Sequence, residues 1–308
     1  MTQTTTDTIE RTITIAARPE TVFNLLTDPA RMTEWMGRSV AAEPRPGGLI
    51  RVDYNGFDVM RGEFVEVTPY SRVVYTFGWE SLAADRLRPG ASTVEFSLSP
   101  EGDGTILRLV HRGLPELARP GHDEGWEMFL TQLAARASGA AGLPTDVRLS
   151  AGEELASRLN TLLIQLRDAI EECSDRQWKA ITSERWSVGV TAHHAVSHIG
   201  LAHAARAVGA GEPSPLAGFT ADMITRANAR HAVEFASVSR AETIAQVQDE
   251  GPAAVDALRG MTDAELAKTA AMGFAGGAQV SARQVIEGPL LSDIAAHLES
   301  IRAAARGA

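Results

Sequence analysis

The residues best suited to metal chemistry lie in the second half of the chain. Residues 185–203, which read RWSVGVTAHHAVSHIGLAH, hold four of the eight histidines. His194 and His198 are four residues apart, so on a helix both imidazoles share one face. Asp293 and His297, within LLSDIAAHLESI, repeat this spacing further along the chain. Two helices that each direct a polar pair at a common interior can build one metal site.

His194 from one helix, with Asp293 and His297 from another, would leave one coordination position open, as in a catalytic zinc site. Such an ion lowers the pKa of a bound water or thiol, so the nucleophile exists at neutral pH. His193 lies about 100° round the helix from His194 and cannot share its target. The prediction is a divalent metal, first of all zinc, held by His194, Asp293 and His297, with His198 as the reserve ligand. Taken singly, each residue is more often an ordinary helix-face residue. Only the joint pattern at core-facing positions indicates a site.

The elements that must position these residues are helices. Apolar residues at helical spacing, with capping residues at Ser187, Ser239 and Ser281, predict the boundaries. The predicted helices cover 155–170, 187–208 with Gly209 as its end, 220–235, 239–258, and a last helix from 281 that Gly288-Pro289 should kink. No strand is predicted here, so residues 148–308 should form an all-α up-and-down helix bundle.

The first half follows a different pattern. Alternating segments predict strands at 9–16, 49–54, 58–68, 72–79, 91–99 and 104–112. Short helices should start at Pro19 and Pro29, and a longer one near His122. This is an α+β plan, and a curved sheet around a helix encloses a space suited to a small ligand. The aromatic residues expected to line that cavity are Trp35, Tyr75, Trp79 and Trp126.

A stretch of small residues, ASGAAGLPT at 137–145, separates the halves, as in an interdomain linker. The expected division is a first domain at 1–139, a linker at 140–147 and a second domain at 148–308.

Composition excludes several classes. The chain of 308 residues has a net charge of −10 and neither half is basic, so nucleic-acid or anionic-membrane binding has no electrostatic support. The one cysteine, Cys173, excludes an internal disulfide and a cysteine-rich metal site. The N-terminal MTQTTTDTIERT lacks the features of a signal peptide, and no run of about 18 apolar residues occurs. A cytoplasmic protein is expected.

Residues 8–138 resemble the SRPBCC superfamily, also called START-like or helix-grip, and within it the branch of the Hsp90 ATPase activator homologues. The matching features are AARPETVFNLLTDP, the following EW, GG before a strand, GEFVEVTPYSRVVYTF, STVEFSL, GDGTILRLVHRGL, and GW leading into a helix. The resemblance implies a helix-grip domain with a ligand cavity. Its chemistry stays open, because the superfamily includes carriers, cyclases and hydrolases.

Residues 148–304 resemble the DinB-like superfamily, which includes the mycothiol-dependent maleylpyruvate isomerases. Its signature has Trp-Ser/Thr-Val with a metal-binding His eight residues after the Trp, which here are Trp186 and His194. A second pair on the last helix corresponds to Asp293 and His297. The family has Glu or His at the position of Asp293. Because the Asp side chain is one methylene shorter than that of Glu, its reach toward a metal is reduced, and His198 is the substitute ligand to consider. The resemblance implies an all-α up-and-down four-helix bundle, and a low-molecular-weight thiol as cosubstrate.

These observations predict a protein that handles a small apolar or electrophilic molecule. The first domain would bind it, and the metal site of the second would act as a thiol S-transferase or isomerase, or as a hydrolase. No other catalytic side chain is assigned. The alternative is a non-enzymatic lipophilic-ligand-binding or Hsp90-cochaperone-like stress protein whose bundle is vestigial. A homodimer, with both halves serving mainly for dimerisation, is the third option.

Overall fold

The computed structural model describes residues 7–83, 86–140 and 148–308. The chain divides into two compact units between Arg148 and Leu149, and Leu82 and Ala83 are grouped with the second unit. Of the predicted linker at 140–147, only Ala140 lies within the described residues.

The first unit is built on an antiparallel sheet with the strand order β1-β8-β7-β5-β4-β3-β2, and β6 pairs with β4. The strands are β1 Thr8–Ile15, β2 Ser39–Ala42, β3 Leu49–Asp53, β4 Val59–Thr68, β5 Arg72–Phe77, β6 Trp79–Glu80, β7 Ser92–Glu101 and β8 Gly104–Arg112. All six predicted strand segments are confirmed. The predicted segment 72–79 covers β5 and ends at Trp79, the first residue of β6. Strand β2 is not predicted, because a segment of four residues is too short to show an alternating pattern.

Three helices complete this unit: α1 Pro19–Thr27, α2 Pro29–Met32 and α3 Arg119–Ala137. Each has a proline in its first turn, where the missing N–H costs nothing. Trp126, Leu130 and Leu133 of α3 are buried in the same core as the inner face of the sheet. A sheet that packs around a long terminal helix fits the predicted helix-grip fold.

The second unit is helical. Its helices are α4 Ala151–Glu172, α5 Asp175–Trp178, α6 Val188–Ser197, α7 Gly200–Ala210, α8 Ala221–Glu234, α9 Arg240–Arg259, α10 Asp263–Ala267, α11 Ala282–Val285 and α12 Asp293–Gly307. Helix α4 packs against α9, and α12 packs against α6 and α4. The predicted capping boxes at Ser239 and Ser281 are confirmed. The four-helix up-and-down arrangement stays a prediction. None of the helices in the described parts of the chain is long and apolar enough to cross a membrane.

The expectation of a strand-free second half is wrong. Strand β9, Thr269–Ala271, pairs antiparallel with β10, Gln279–Ser281. Three residues are too few to show period-two alternation, so the apolar pattern carried no signal of this hairpin.

The helix predicted over 187–208 is in fact two helices, α6 and α7, which meet at His198. Gly209 does not end α7. A Cβ at Gly209 would lie 2.7 Å from the Met261 methyl carbon, which shows close packing. Gly211 ends the helix with a φ of 82°, the left-handed conformation in which glycine commonly closes helices. The two glycines differ in tertiary packing, which the sequence does not display.

Near the C-terminus, α11 and α12 are joined by a π-helical segment, Ile286–Ser292, that contains the predicted Gly288-Pro289 irregularity. Proline lacks the N–H that an α-helical turn requires, and π-helical turns accommodate such a break. The segment ends directly before Asp293, the first residue of α12.

Candidate functional site

The histidine-bearing helix α6 starts from a tightly hydrogen-bonded turn. The hydroxyl of Ser187 accepts a hydrogen bond from the backbone N–H of Val190 at 3.2 Å, which caps the helix. Just before it, the hydroxyl of Thr182 donates to the carbonyl of Trp186 at 3.1 Å. Since α6 packs against α12, the histidines of both helices face each other.

Three of these histidines form a cluster. One ring nitrogen each from His194, His198 and His297 lies within 4.8 Å of the others. The ring of His194 is centred 4.8 Å from that of His198 and 5.1 Å from that of His297. His194 is buried, and the other two side chains are each 15% exposed. The structure therefore brings together two of the three predicted ligands and the reserve ligand.

The pKa values of His194 and His198 are both lowered, which favours the neutral imidazole. Burial, reinforced by the nearby His198, His297 and His231 rings, lowers the pKa of His194 to about 3. Burial also lowers the pKa of His198, as does His297, and the Asp293 carboxylate opposes this shift. A neutral imidazole offers the lone pair that a metal ion requires.

Asp293 lies at the edge of this cluster. Its Oδ2 is 3.9 Å from Nε2 of His198, and its side chain is 52% exposed. It is not among the three residues whose ligand atoms converge. Aspartate is a short side chain, and from the first position of α12 it extends toward solvent. Its role as a metal ligand stays a prediction.

One participant was not identified from the sequence. Oε1 of Glu184 lies 3.2 Å from Nδ1 of His297. Burial would raise the pKa of the Glu184 carboxyl, but hydrogen bonds, first of all from the Ser300 hydroxyl and also from its own backbone and His297, lower that pKa to about 2. The carboxyl is therefore ionised at all ordinary pH values. No local pattern links Glu184 to His297, because the two residues are 113 positions apart.

A second pair of histidines borders the cluster. Nδ1 of His193 lies 3.2 Å from Nε2 of His231, which comes from α8. The ring of His193 stacks on Phe235 at 3.8 Å, and the ring of His231 is centred 5.0 Å from that of His194. His193 thus contacts His231 and Phe235 instead of joining the cluster, as its position on the helix predicts. His203 is exposed.

The three imidazoles of the cluster form a donor set that could hold a divalent metal ion. Nδ1 of His194 is buried and has no hydrogen-bond partner among the described residues, which is costly unless a ligand completes it. Imidazole donors suit zinc and neighbouring transition metals. Tetrahedral zinc places its ligand nitrogens about 3.3 Å apart, so the three nitrogens, which lie within 4.8 Å of one another, would have to move closer together to bind it.

The first unit contains an aromatic cavity of about 510 Å³. Trp79 and Trp126, both predicted, are among its lining residues, which are Tyr54, Phe77, Trp79, Arg86, Leu87, Leu117, Ala118, Gly121, His122, Gly125, Trp126 and Phe129. Trp35 and Tyr75 were also predicted but do not line it. Trp35 is fully buried and its indole N–H donates to the carbonyl of Leu25 at 2.7 Å. Tyr75 is 2% exposed and lies beside Phe64 and Phe96 in the core.

The two histidines at this cavity, His111 behind its wall and His122 on its lining, are both engaged in internal hydrogen bonds. Nδ1 of His111 accepts from the indole N–H of Trp126 at 3.0 Å, so its Nε2–H donates to the hydroxyl of Ser92 at 2.8 Å. That hydroxyl donates onward to the carbonyl of Phe77 at 3.1 Å. The tautomer is thereby set, and His111 cannot take a proton from Ser92. The Ser92–His111 pair is a structural bond and not a nucleophile with its base.

Both ring nitrogens of His122 also form hydrogen bonds within the protein. Its Nε2 accepts from the indole N–H of Trp79 at 3.2 Å, and its Nδ1–H donates to the carbonyl of Ala118 at 2.8 Å. The indole N–H groups of both cavity tryptophans are therefore satisfied within the protein. Arg86 lies over the Trp79 ring at 5.0 Å and pairs with Asp58 at 2.8 Å. The cavity thus offers a largely apolar aromatic surface.

Comparison with known proteins finds relatives for the first unit. Residues 16–138 match the family model described as Activator of Hsp90 ATPase homolog 1-like protein. A search of curated proteins finds no match. The resemblance of residues 148–304 to the DinB-like superfamily lies outside the family match and stays a prediction.

Several solved structures are similar over part of the chain. An AHSA1-like protein from Rhizobium etli is 40% identical, with 46% of this chain and 88% of that chain covered and a TM-score of 0.38. The Aha1 dimer from Colwellia psychrerythraea is 20% identical, with coverage of 44% and 98% and a TM-score of 0.39. DynU16, from the dynemicin biosynthetic locus, is 22% identical with a TM-score of 0.38. The match covers 44% of this chain and 49% of DynU16, about half of its length. The family match confirms the prediction for the first half: the N-terminal part of this chain carries an AHSA1-like domain of the START-like type.

Proposed function

We propose that this protein binds a divalent metal ion, first of all zinc, and uses it to activate a thiol or water toward a small apolar or electrophilic molecule. The observation that carries the proposal is the convergence of His194, His198 and His297 from two parts of the helical unit, with a buried nitrogen of His194 left unpaired. Bound there, such an ion supplies Lewis acidity and lowers the pKa of a thiol or water beside it.

The protein's own residues would hold and orient this centre. The neutral ring of His194 forms its buried side, and His198 and His297 form the partly exposed side. Asp293 is half exposed and 3.9 Å from His198; its proposed role is to add a carboxylate ligand or to accept the proton that an incoming thiol or water releases. A low-molecular-weight thiol is the cosubstrate that the DinB-like resemblance favours.

The decisive experiment is metal analysis of the purified protein, followed by zinc titration after chelation. We expect stoichiometric zinc in the wild type and its loss in His194→Ala and His297→Ala. His203→Ala is the matched control, because His203 is an exposed histidine on the neighbouring helix α7. A wild type that binds no divalent metal in either experiment would refute the proposal.

A second candidate function is ligand binding by the first unit without any reaction. The observation that favours it is the apolar cavity whose Trp79, Trp126 and His122 N–H groups are already paired within the protein, so that His122 is not a free base toward a ligand. Binding of an apolar fluorescent probe such as anilinonaphthalene sulfonate tests it. If this is the whole function, the probe binds equally well before and after chelation and no thiol reactivity depends on metal. Thiol transfer that disappears on chelation would contradict this candidate.

A further inference from the structure

The carboxylate of Glu184 is shared between two side chains of helix α12. Oε1 is 3.2 Å from Nδ1 of His297 and Oε2 accepts the hydroxyl of Ser300 at 2.6 Å. His297 and Ser300 are three residues apart on one helix, so they lie on the same face. Ser183, next to Glu184, also contacts Ser300: the two hydroxyl oxygens are 2.7 Å apart. Ser183 and Glu184 therefore form hydrogen bonds with one face of α12 beside the histidine cluster.

The segment that holds Glu184 is itself well fixed. The backbone N–H of Thr182 donates to the carbonyl of Trp186 at 2.8 Å, and Ile181 forms an isolated bridge with Ser187. Arg185 has a φ of 66°, a left-handed conformation that non-glycine residues adopt only when their surroundings require it. The turn thus sets the direction of Glu184 before helix α6 begins.

The contact with Glu184 determines which nitrogen of His297 carries the proton. A carboxylate can only accept a hydrogen bond, so Nδ1 of His297 must be the donor. In the neutral ring, the lone pair is then on Nε2, the nitrogen free of the Glu184 contact. Carboxylate partners of this kind orient metal-binding histidines and increase their basicity.

We propose that Glu184 is the positioning residue of the three-histidine centre, and that it holds His297 in the tautomer whose Nε2 is free to bind metal. This inference rests on the proposed metal-binding function. Glu184 does not contact the metal in this arrangement; it acts through His297.

The first test needs no metal. Two-bond ¹H–¹⁵N correlation spectra of the metal-free wild type at neutral pH report the tautomer of each histidine. We expect His297 to carry its proton on Nδ1, and Glu184→Gln to give a mixture of tautomers. A His297 ring protonated on Nε2 in the wild type would overturn the inference, even if the variant fails to fold.

The second test is zinc affinity by competition with a chelator. Loss of such a carboxylate partner typically weakens metal binding about 10- to 100-fold, and we expect this for E184Q. Glu299→Gln is the matched control, since it removes the same charge from an exposed position on α12 and should leave affinity unchanged. Ser300→Ala removes the hydroxyl that contacts Ser183 and Glu184 but keeps the residues of the Glu184–His297 contact.

An equal loss of affinity in S300A and E184Q would mean that Glu184 only holds the turn, and would overturn the inference, as would wild-type affinity in E184Q. If the wild type binds no zinc, the metal-binding proposal fails, while the tautomer measurement still decides the role of Glu184.

Discussion

Acidification should destabilise this protein through His111, which is buried behind the cavity of the first unit. The ring is 0% exposed and uses both nitrogens in its neutral form, with Trp126 as donor and Ser92 as acceptor. Burial, and to a lesser extent the nearby His122, lowers the pKa of His111 to about 3. Protonation of Nδ1 would break the bond from Trp126 and place an unpaired charge in the core.

The magnitude follows from the difference between the folded and unfolded pKa. Unfolded histidine titrates near pH 6.5, so between about pH 6.5 and 3 the unfolded chain binds more protons than the folded protein. The contribution of His111 to stability is therefore complete above about pH 6.5 and is lost as the pH falls toward 3. At about pH 5 the loss amounts to about 2 kcal/mol in the free energy of unfolding.

Urea denaturation of the full-length protein at about pH 7.5 and pH 5 measures this loss. His111→Gln removes the titrating group, so we expect H111Q to lose about 2 kcal/mol less than the wild type on acidification. Other titrating groups are common to both proteins and cancel in the difference. His203→Gln, at an exposed position, should respond as the wild type does. An acid-induced loss as large in H111Q as in the wild type would refute the reasoning.

Three further predictions concern the cavity, the helical core and the metal. Gly125 lines the cavity and a Cβ there meets open space, so Gly125→Leu should abolish binding of an apolar probe without loss of thermal stability. A Cβ at Gly152 would lie 2.3 Å from the backbone oxygen of Met261, so Gly152→Ala should cost about 1–3 kcal/mol in chemical denaturation. Zinc at about 100 times its Kd should stabilise the wild type by about 2.7 kcal/mol in thermal unfolding, and His297→Ala should remove this gain.

Local sequence signals were sufficient for the elements whose boundaries depend on local hydrogen bonds. The Ser239 capping box closes within four residues, because the serine and Glu242 satisfy each other's backbone N–H groups. The six predicted strands showed an alternating pattern because one face of the sheet packs on the core. The break at His198 and the β9–β10 hairpin are not predicted from the sequence, because neither changes the spacing of apolar residues on which the predictions depend.

The cavity shows the same limit in the first unit. The sequence predicts the same cavity-lining role for Trp35 and Trp79. In the structure, Trp35 is fully buried and bonded to the carbonyl of Leu25, while Trp79 lines the cavity. Core and cavity wall are the same side of the sheet, so the apolar pattern alone cannot distinguish them.

For the candidate metal site, the sequence by itself determined that His194 and His297 belong to helical faces that can meet, because residues four apart share a helix face. Only the tertiary structure decided which groups converge. It brought His198 into the cluster, left Asp293 half exposed at its edge, and added Glu184. The physical reason is that convergence depends on how α6 and α12 are rotated and packed against each other, which the spacing of residues within one helix does not determine.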